Sequence, residues 1–335
     1  MSSERSTADW YRVFGEVEAR GQSAIYEEWA QGVATDTGLI ALIDELPLQK
    51  RQPNLVFATA RLLGAPERGY REFRDWLVGH WPAVAAEARH RMTQTNEPRR
   101  CAALLPAFAA LQRQAGRGEP LALLEIGASA GLCLYPDRYS YRYGQGEWLH
   151  PASGPSAVRL QAEASGRIPI PHALPDVAWR AGIDLEPLLV GDPEAMRWLE
   201  TLVWPEQQER RDRVRAAAAI VRAEPPLLVR GNAVDELALL AQQVPGHATT
   251  VVITSGVLVY IPFLERMRLV EAIRDLGVAW VSLEGVGVLP EVDVKLDDPR
   301  VGRFVLAVNG EPLAYVGPHG QHVEWLDRQD QPTGA

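Results

Sequence analysis

Glu125, Gly127, Ser129 and Gly131 stand at alternate positions, and the first of them lies near the end of the mostly apolar run Leu121–Ile126. That run reads as a buried parallel strand. The small residues after it read as a tight turn into a second apolar stretch and a helix start. A strand, a glycine turn and a helix N-terminus together make a corner for an anion or a nucleotide. Main-chain N–H groups point out of it, and missing side chains let a ligand approach. Further along, Asp184 follows the β-patterned run VAWRAGI, and its two carboxylate oxygens suit a vicinal diol. Asn232, after the run 226–230, offers an amide to a base edge, and Thr254 closes the run TTVVIT.

These groups need a scaffold. Residues 8–115 carry apolar positions at helical spacing and no strand pattern of note. Phe73–Val78 and Val84–Met92 read as separate helical pieces divided at Trp81-Pro82, and Pro98 opens a helix to Gln114. After residue 120, strands alternate with helices, the mark of a parallel α/β sheet. The strands are expected at 121–126, 177–185, 226–230, 249–254 and 278–283. Residues 139–172 read as a β-rich insertion. Arg303–Val308 and Leu313–Val316 flank Asn309-Gly310, a type I′ hairpin signal. The expected organisation is a helical subdomain over 1–118 and an α/β core over 119–325, with Gly116–Pro120 as linker and 326–335 as a disordered tail.

At Glu125-Ile-Gly127-Ala-Ser129-Ala-Gly131 the chain resembles the class I S-adenosylmethionine-dependent methyltransferases. The resemblance covers about residues 120–318. It implies a Rossmann-like, mostly parallel seven-stranded sheet ending in an antiparallel hairpin, in the order 3-2-1-4-5-7-6. It also implies that Glu125, Gly127, Ser129 and Gly131 meet the methionine part of the cofactor, Asp184 the ribose, Asn232 the adenine and Thr254 the substrate-facing edge. The chain departs from the usual pattern in one way. Asp184 lies 53 positions after Gly131, where about 20 is usual for a nucleotide-fold acid, so the insertion must absorb the excess.

The polar segment Thr93–Arg100 is the second informative stretch. Thr95 or Asn96 reads as a helix cap; alternatively, Asn96, Arg99 and Arg100 contact substrate, with Glu97 as general base. Tyr260, after the fourth strand, is a further substrate-positioning candidate, and Glu284 is either a base or a turn cap. This segment, the glycine corner, Gly-Ile-Asp184-Leu and Trp204-Pro205-Glu206 together resemble a bacterial family of unknown function assigned to the methyltransferase fold. A different chemistry also fits the corner. Gly127-Ala-Ser129-Ala-Gly131 matches G-x-S-x-G, the nucleophile elbow of α/β-hydrolases, with His319 or His322 as base and Asp297 as acid. A third possibility is a binder of S-adenosylmethionine without catalysis.

The totals narrow the classes. A net charge of −9 argues against a nucleic-acid partner, and two cysteines argue against a disulfide scaffold or a cysteine zinc site. No metal-ligand spacing is seen among the histidines. No stretch reads as a signal peptide or a membrane span, so the expected location is the cytoplasm and the expected partner a small-molecule substrate.

Overall fold

The computed structural model describes residues 6–115 and 119–326. Most of the expected linker (116–118) and most of the expected tail (327–335) lie outside them. The chain divides into two compact units. One runs through Thr95 and includes Gly191–Asp212; the other is Asn96–Val190 with the chain from Arg213 onward. The stretch from Asn96, read above with the helical part, therefore belongs to the sheet unit. Among the described residues no helix is long and apolar enough to cross a membrane.

The first unit is helical: α1 (Thr7–Val13), α2 (Ala24–Thr35), α3 (Thr37–Ile43), α4 (Pro53–Leu62), α5 (Tyr70–His90) and, from the later segment, α7 (Pro193–Thr201). Its centre is aromatic. Trp29 stacks on Phe73 with ring centroids 3.8 Å apart, and Trp204 packs edge-on to Phe14 at 5.7 Å. Glu206 caps α2, accepting from Ser23 Oγ (2.6 Å) and Ile25 N (2.9 Å). Pro82 does not divide a helix, contrary to the expectation; α5 runs through it. Phe73, Leu77, Trp81, Val84, Ala85 and Ala88 are all buried on one face of α5. Their burial, at about 1.5–3 kcal/mol for each large side chain, outweighs the roughly 3 kcal/mol of an interior proline.

The second unit is built on β1 (Leu121–Ile126), β2 (Ser140–Tyr143), β3 (Arg159–Ser165), β4 (Val177–Asp184), β5 (Leu227–Arg230), β6 (Thr249–Ser255), β7 (Ala279–Gly285), β8 (Phe304–Val308), β9 (Glu311–Val316) and β10 (His322–Trp325). They form one mixed sheet in the order β2-β3-β10-β9-β8-β7-β6-β1-β4-β5. The central strand β1 pairs in parallel with β4 and β6, and β5 and β7 extend this block in parallel. On one face Leu124, Ile126, Ala181, Ile183, Val252 and Trp280 pack with α9 (Ala233–Ala241) and α10 (Phe263–Asp275) through Leu237, Leu240, Leu269, Val270 and Ile273.

Beyond β7 the expected order fails. The sheet has ten strands, not seven, and β8, not β9, lies beside β7. The connection 286–303 holds only the short helix Pro290–Asp293. A parallel neighbour needs a crossover of a dozen or more residues, usually a helix, so this connection simply reverses the chain. The Asn309-Gly310 turn forms as read, with φ of +51° and +78°. The insertion is β-rich, but it is no excursion. Its strand β3 pairs with β10 and carries β2 with it, extending the main sheet.

Candidate ligand site at the strand tips

In the register of the parallel block, Glu125 sits between Gly182 and Ile253. Strand side chains alternate faces, so Asp184 and Ser255, each two residues further on, point to the same face as Glu125. The two carboxylates expected to act together thus stand at adjacent strand tips on one face. Thr254 does not join them. It is one residue out of phase, fully buried on the opposite face, where its Oγ1 accepts from the Trp280 indole at 3.2 Å.

The corner after β1 turns sharply, with φ of +72° at Gly127, +51° at Ser129 and +73° at Gly131. The expected helix does not follow. A single 3₁₀ turn, Leu132–Leu134, comes next, and Pro136 cuts the apolar run short. No dipole of an α-helix that follows the corner therefore faces it, and several of its amides donate within the protein. Gly127 N donates to Ile183 O (2.8 Å), Ser129 N to Asp184 Oδ2 (2.8 Å), Gly131 N to Ala128 O (2.7 Å) and Leu132 N to Asn96 Oδ1 (2.8 Å). The glycines serve packing as well. A Cβ on Gly127 would lie 2.3 Å from Val257 Cγ2, and one on Gly131 would lie 3.1 Å from Pro226 Cγ. Much of the main chain at this corner thus bonds within its own fold.

The side chains on the tip face behave differently. Glu125 is 2% exposed and its Oε2 has no hydrogen-bond partner. Burial pushes its carboxyl well above the ordinary range; Cys133 and Asp184 push the same way, and Arg100 opposes them. The hydroxyls of Ser129 and Ser255 are also buried without partners. Each such group costs about 1–3 kcal/mol when left dry. Asp184 is oriented by two amides, Ser129 N and Glu186 N (2.9 Å).

The polar segment before α6 (Cys101–Ala115) is a buried buckle. Glu97, not Thr95 or Asn96, caps the 3₁₀ turn Pro98–Arg100: its Oε1 accepts from Arg99 N (3.0 Å) and pairs with Arg213 Nε (2.9 Å). Glu97 is fully buried and held by these cationic and amide donors, a placement that suits a clamp better than a base. Asn96 and Arg100 are buried, and Arg99 is partly so. Arg100 donates through Nη1 to Ser255 O (2.7 Å) and through Nε to Pro318 O (3.1 Å), with its guanidinium 5.5 Å from the Phe304 ring centroid. Gly256, at φ +65°, is bare because a Cβ there would meet this guanidinium at 2.9 Å. Two of the remaining candidates are exposed. Asn232 is exposed and caps α9 through Val234 N (3.0 Å), and Tyr260 is 59% exposed. Glu284 caps the turn after β6, accepting from Val257 N (3.2 Å) and Leu258 N (3.3 Å). Sequence reasoning missed Ser255 as a member of the face, Arg213 as the partner of Glu97, and the packing of the loop 317–321 against Arg99 and Arg100. Only the last left a trace, in the paired glycines Gly317 and Gly320.

The family model described as "Uncharacterized protein conserved in bacteria (DUF2332)" matches residues 8–325, and the chain belongs to that family. No curated protein and no solved structure matches it.

Proposed function

We propose that the tip face binds S-adenosylmethionine and that the protein transfers its methyl group to a small molecule. One observation carries the reading: a buried, unpartnered Glu125 carboxyl beside Asp184 on one face of neighbouring strand tips. The residue chemistry fits the cofactor. An ammonium group would satisfy Glu125 Oε2 and restore its charge, and the Ser129 and Ser255 hydroxyls offer further partners at the same end. Asp184 is oriented by Ser129 N and Glu186 N, and the two oxygens of a carboxylate suit a vicinal diol such as the ribose hydroxyls. The parallel order β5-β4-β1-β6-β7 supports a Rossmann-like core. The bound cofactor would supply an activated methyl group, so the protein's task is to align the acceptor and exclude water.

Isothermal calorimetry with S-adenosylhomocysteine tests the reading. Micromolar binding lost in Glu125→Gln is expected; no binding at high micromolar ligand refutes it. The esterase reading has one point in its favour, the left-handed backbone of Ser129 (φ +51°). Its hydroxyl, however, is buried and no base touches it. Turnover of a p-nitrophenyl ester that disappears in Ser129→Ala would reverse this ranking. Binding of S-adenosylhomocysteine with silence across a broad acceptor screen would favour a non-catalytic binder.

A further inference from the structure

The strands at the far edge of the sheet carry a second cluster. Residues 148–150 fold back along β2, where Tyr141 and Leu149 exchange main-chain bonds in both directions (2.9 and 2.8 Å). That antiparallel bridge sets Trp148 opposite Arg142 and His150 opposite Ser140, all on one face. β3 extends this face, because Ser140 pairs with Arg159 and Arg142 with Gln161. Its side chains there, Arg159, Gln161 and Glu163, are exposed, so the face is open to solvent. Ser140 is small and fully buried, and Arg159 reaches past it to the indole. The guanidinium carbons of Arg142 and Arg159 lie 4.9 Å and 5.6 Å from the Trp148 ring centroid. His150 lies parallel to the same indole, with centroids 6.3 Å apart, and its Nδ1 is 2.9 Å from Ser140 Oγ.

Two like charges thus share one ring. Arg142 donates through Nη2 to Gln161 Oε1 (2.5 Å), a neutral acceptor, and its Nε is buried without an acceptor. Among the described residues neither guanidinium forms an ion pair, although the chain carries 43 acidic side chains against 34 basic ones. The acid further along this face of β3, Glu163, stands beside His322 on β10. We propose that Arg142 and Arg159, held against Trp148, bind a phosphate group. Each guanidinium presents its N–H donors in a planar fork that matches phosphate oxygens, and an anion between the two offsets their mutual repulsion. The indole already restricts both side chains, so less freedom is lost when the anion arrives. In the strand order β2 and β3 lie at the opposite end from β4, so this site is independent of the reading of the tip face.

The test uses the full chain at low salt and three sources of the same group. Calorimetry follows inorganic phosphate and glycerol 3-phosphate, neither of which carries a nucleoside. Co-sedimentation with phosphatidylcholine vesicles containing phosphatidic acid follows a lipid headgroup. At least one probe should bind at millimolar concentration or below, and the probe that binds most tightly identifies the source. The double variant Arg142→Gln/Arg159→Gln should weaken that probe by at least about tenfold, since charge-assisted bonds are lost. Arg159→Gln alone, at an exposed position, should already weaken it, and this single change guards against a folding defect in the pair. Silence of all three probes with the wild-type protein overturns the proposal. So does binding that the folded double variant weakens by less than about tenfold, or that Arg159→Gln leaves unchanged where the double variant does not fold.

Discussion

Replacing Glu284 by glutamine should remove a pH dependence that burial imposes on the sheet unit. Glu284 is 2% exposed at the end of β7, and burial raises its carboxyl to about 7. Bonds from Val257 N and Leu258 N, with the charges of Arg100 and Arg266, hold it back from rising further. The ordinary value is 4.5, so the folded state binds this proton about 2.5 units more tightly than the unfolded state. At roughly 1.4 kcal/mol per unit, that is about 3 kcal/mol. The sign follows from proton binding. Stability is fully present below pH 4.5 and is lost as pH rises through about 7. Glutamine keeps the shape and one acceptor oxygen and never ionises. The variant should therefore gain about 3 kcal/mol relative to wild type between roughly pH 4 and pH 8.5. Other titrating groups cancel in that difference when they do not touch the site. Urea unfolding read by hydrogen exchange of the peptide over 249–262 isolates the sheet unit from the helical one. A difference flat within about 0.5 kcal/mol across that range, or one favouring wild type at high pH, would refute the reasoning.

Glu125→Gln should raise the melting temperature of the ligand-free protein at pH 8, because burial raises the native carboxyl. It should also weaken S-adenosylhomocysteine binding more than about tenfold, since a charge-assisted bond is lost; scanning fluorimetry and calorimetry read the two effects. Gly127→Ala forces a side chain onto a left-handed backbone and into Val257, and should cost about 2 kcal/mol or more by urea unfolding. Adding Val257→Ala should return only the steric part of that loss. Asp184→Asn leaves one acceptor oxygen for two amides, Ser129 N and Glu186 N, and should cost about 1–2 kcal/mol and lower S-adenosylhomocysteine affinity.

The parallel block was legible because each strand is a short apolar run bounded by turn residues. Leu121–Ile126 matches its expected bounds, and Val177–Asp184 differs by one residue. The pairing of Glu125 with Asp184 followed from strand ends alone. What was not legible depends on partners far away in the chain. The order of the terminal hairpin turns on whether a crossover helix fits in 286–303, and β10 is too short to show a pattern. The helix expected after Gly131 came from reading Leu132–Leu134 as the start of an amphipathic run; Pro136 was the signal against it. Thr254 and Ser255 are adjacent and chemically alike, so their roles separate only once register fixes which face each takes. The buckle of Glu97 on Arg213 spans 116 positions and leaves no local trace.

The tip face contrasts with the corner beneath it. At the corner, the amides of Gly127, Ser129, Gly131 and Leu132 find protein acceptors, and Val257 and Pro226 pack against the bare glycines. On the tip face, Glu125, Ser129 and Ser255 keep unsatisfied polar atoms in a buried setting, although apolar or smaller residues would fit the same sheet more cheaply. Other buried polar atoms without a hydrogen bond occur elsewhere, among them the Thr59 and Tyr11 hydroxyls in the helical unit and Asp137 Oδ1 in the sheet unit. The strand-tip residues combine a carboxyl oxygen, Glu125 Oε2, and the Ser129 and Ser255 hydroxyls with a second carboxylate, Asp184, that two amides orient. Under the proposed reading, a cationic, hydroxyl-bearing ligand would satisfy these side chains and recover the stability their burial costs. That trade is the physical basis for placing the ligand on the carboxylates rather than on the glycine turn.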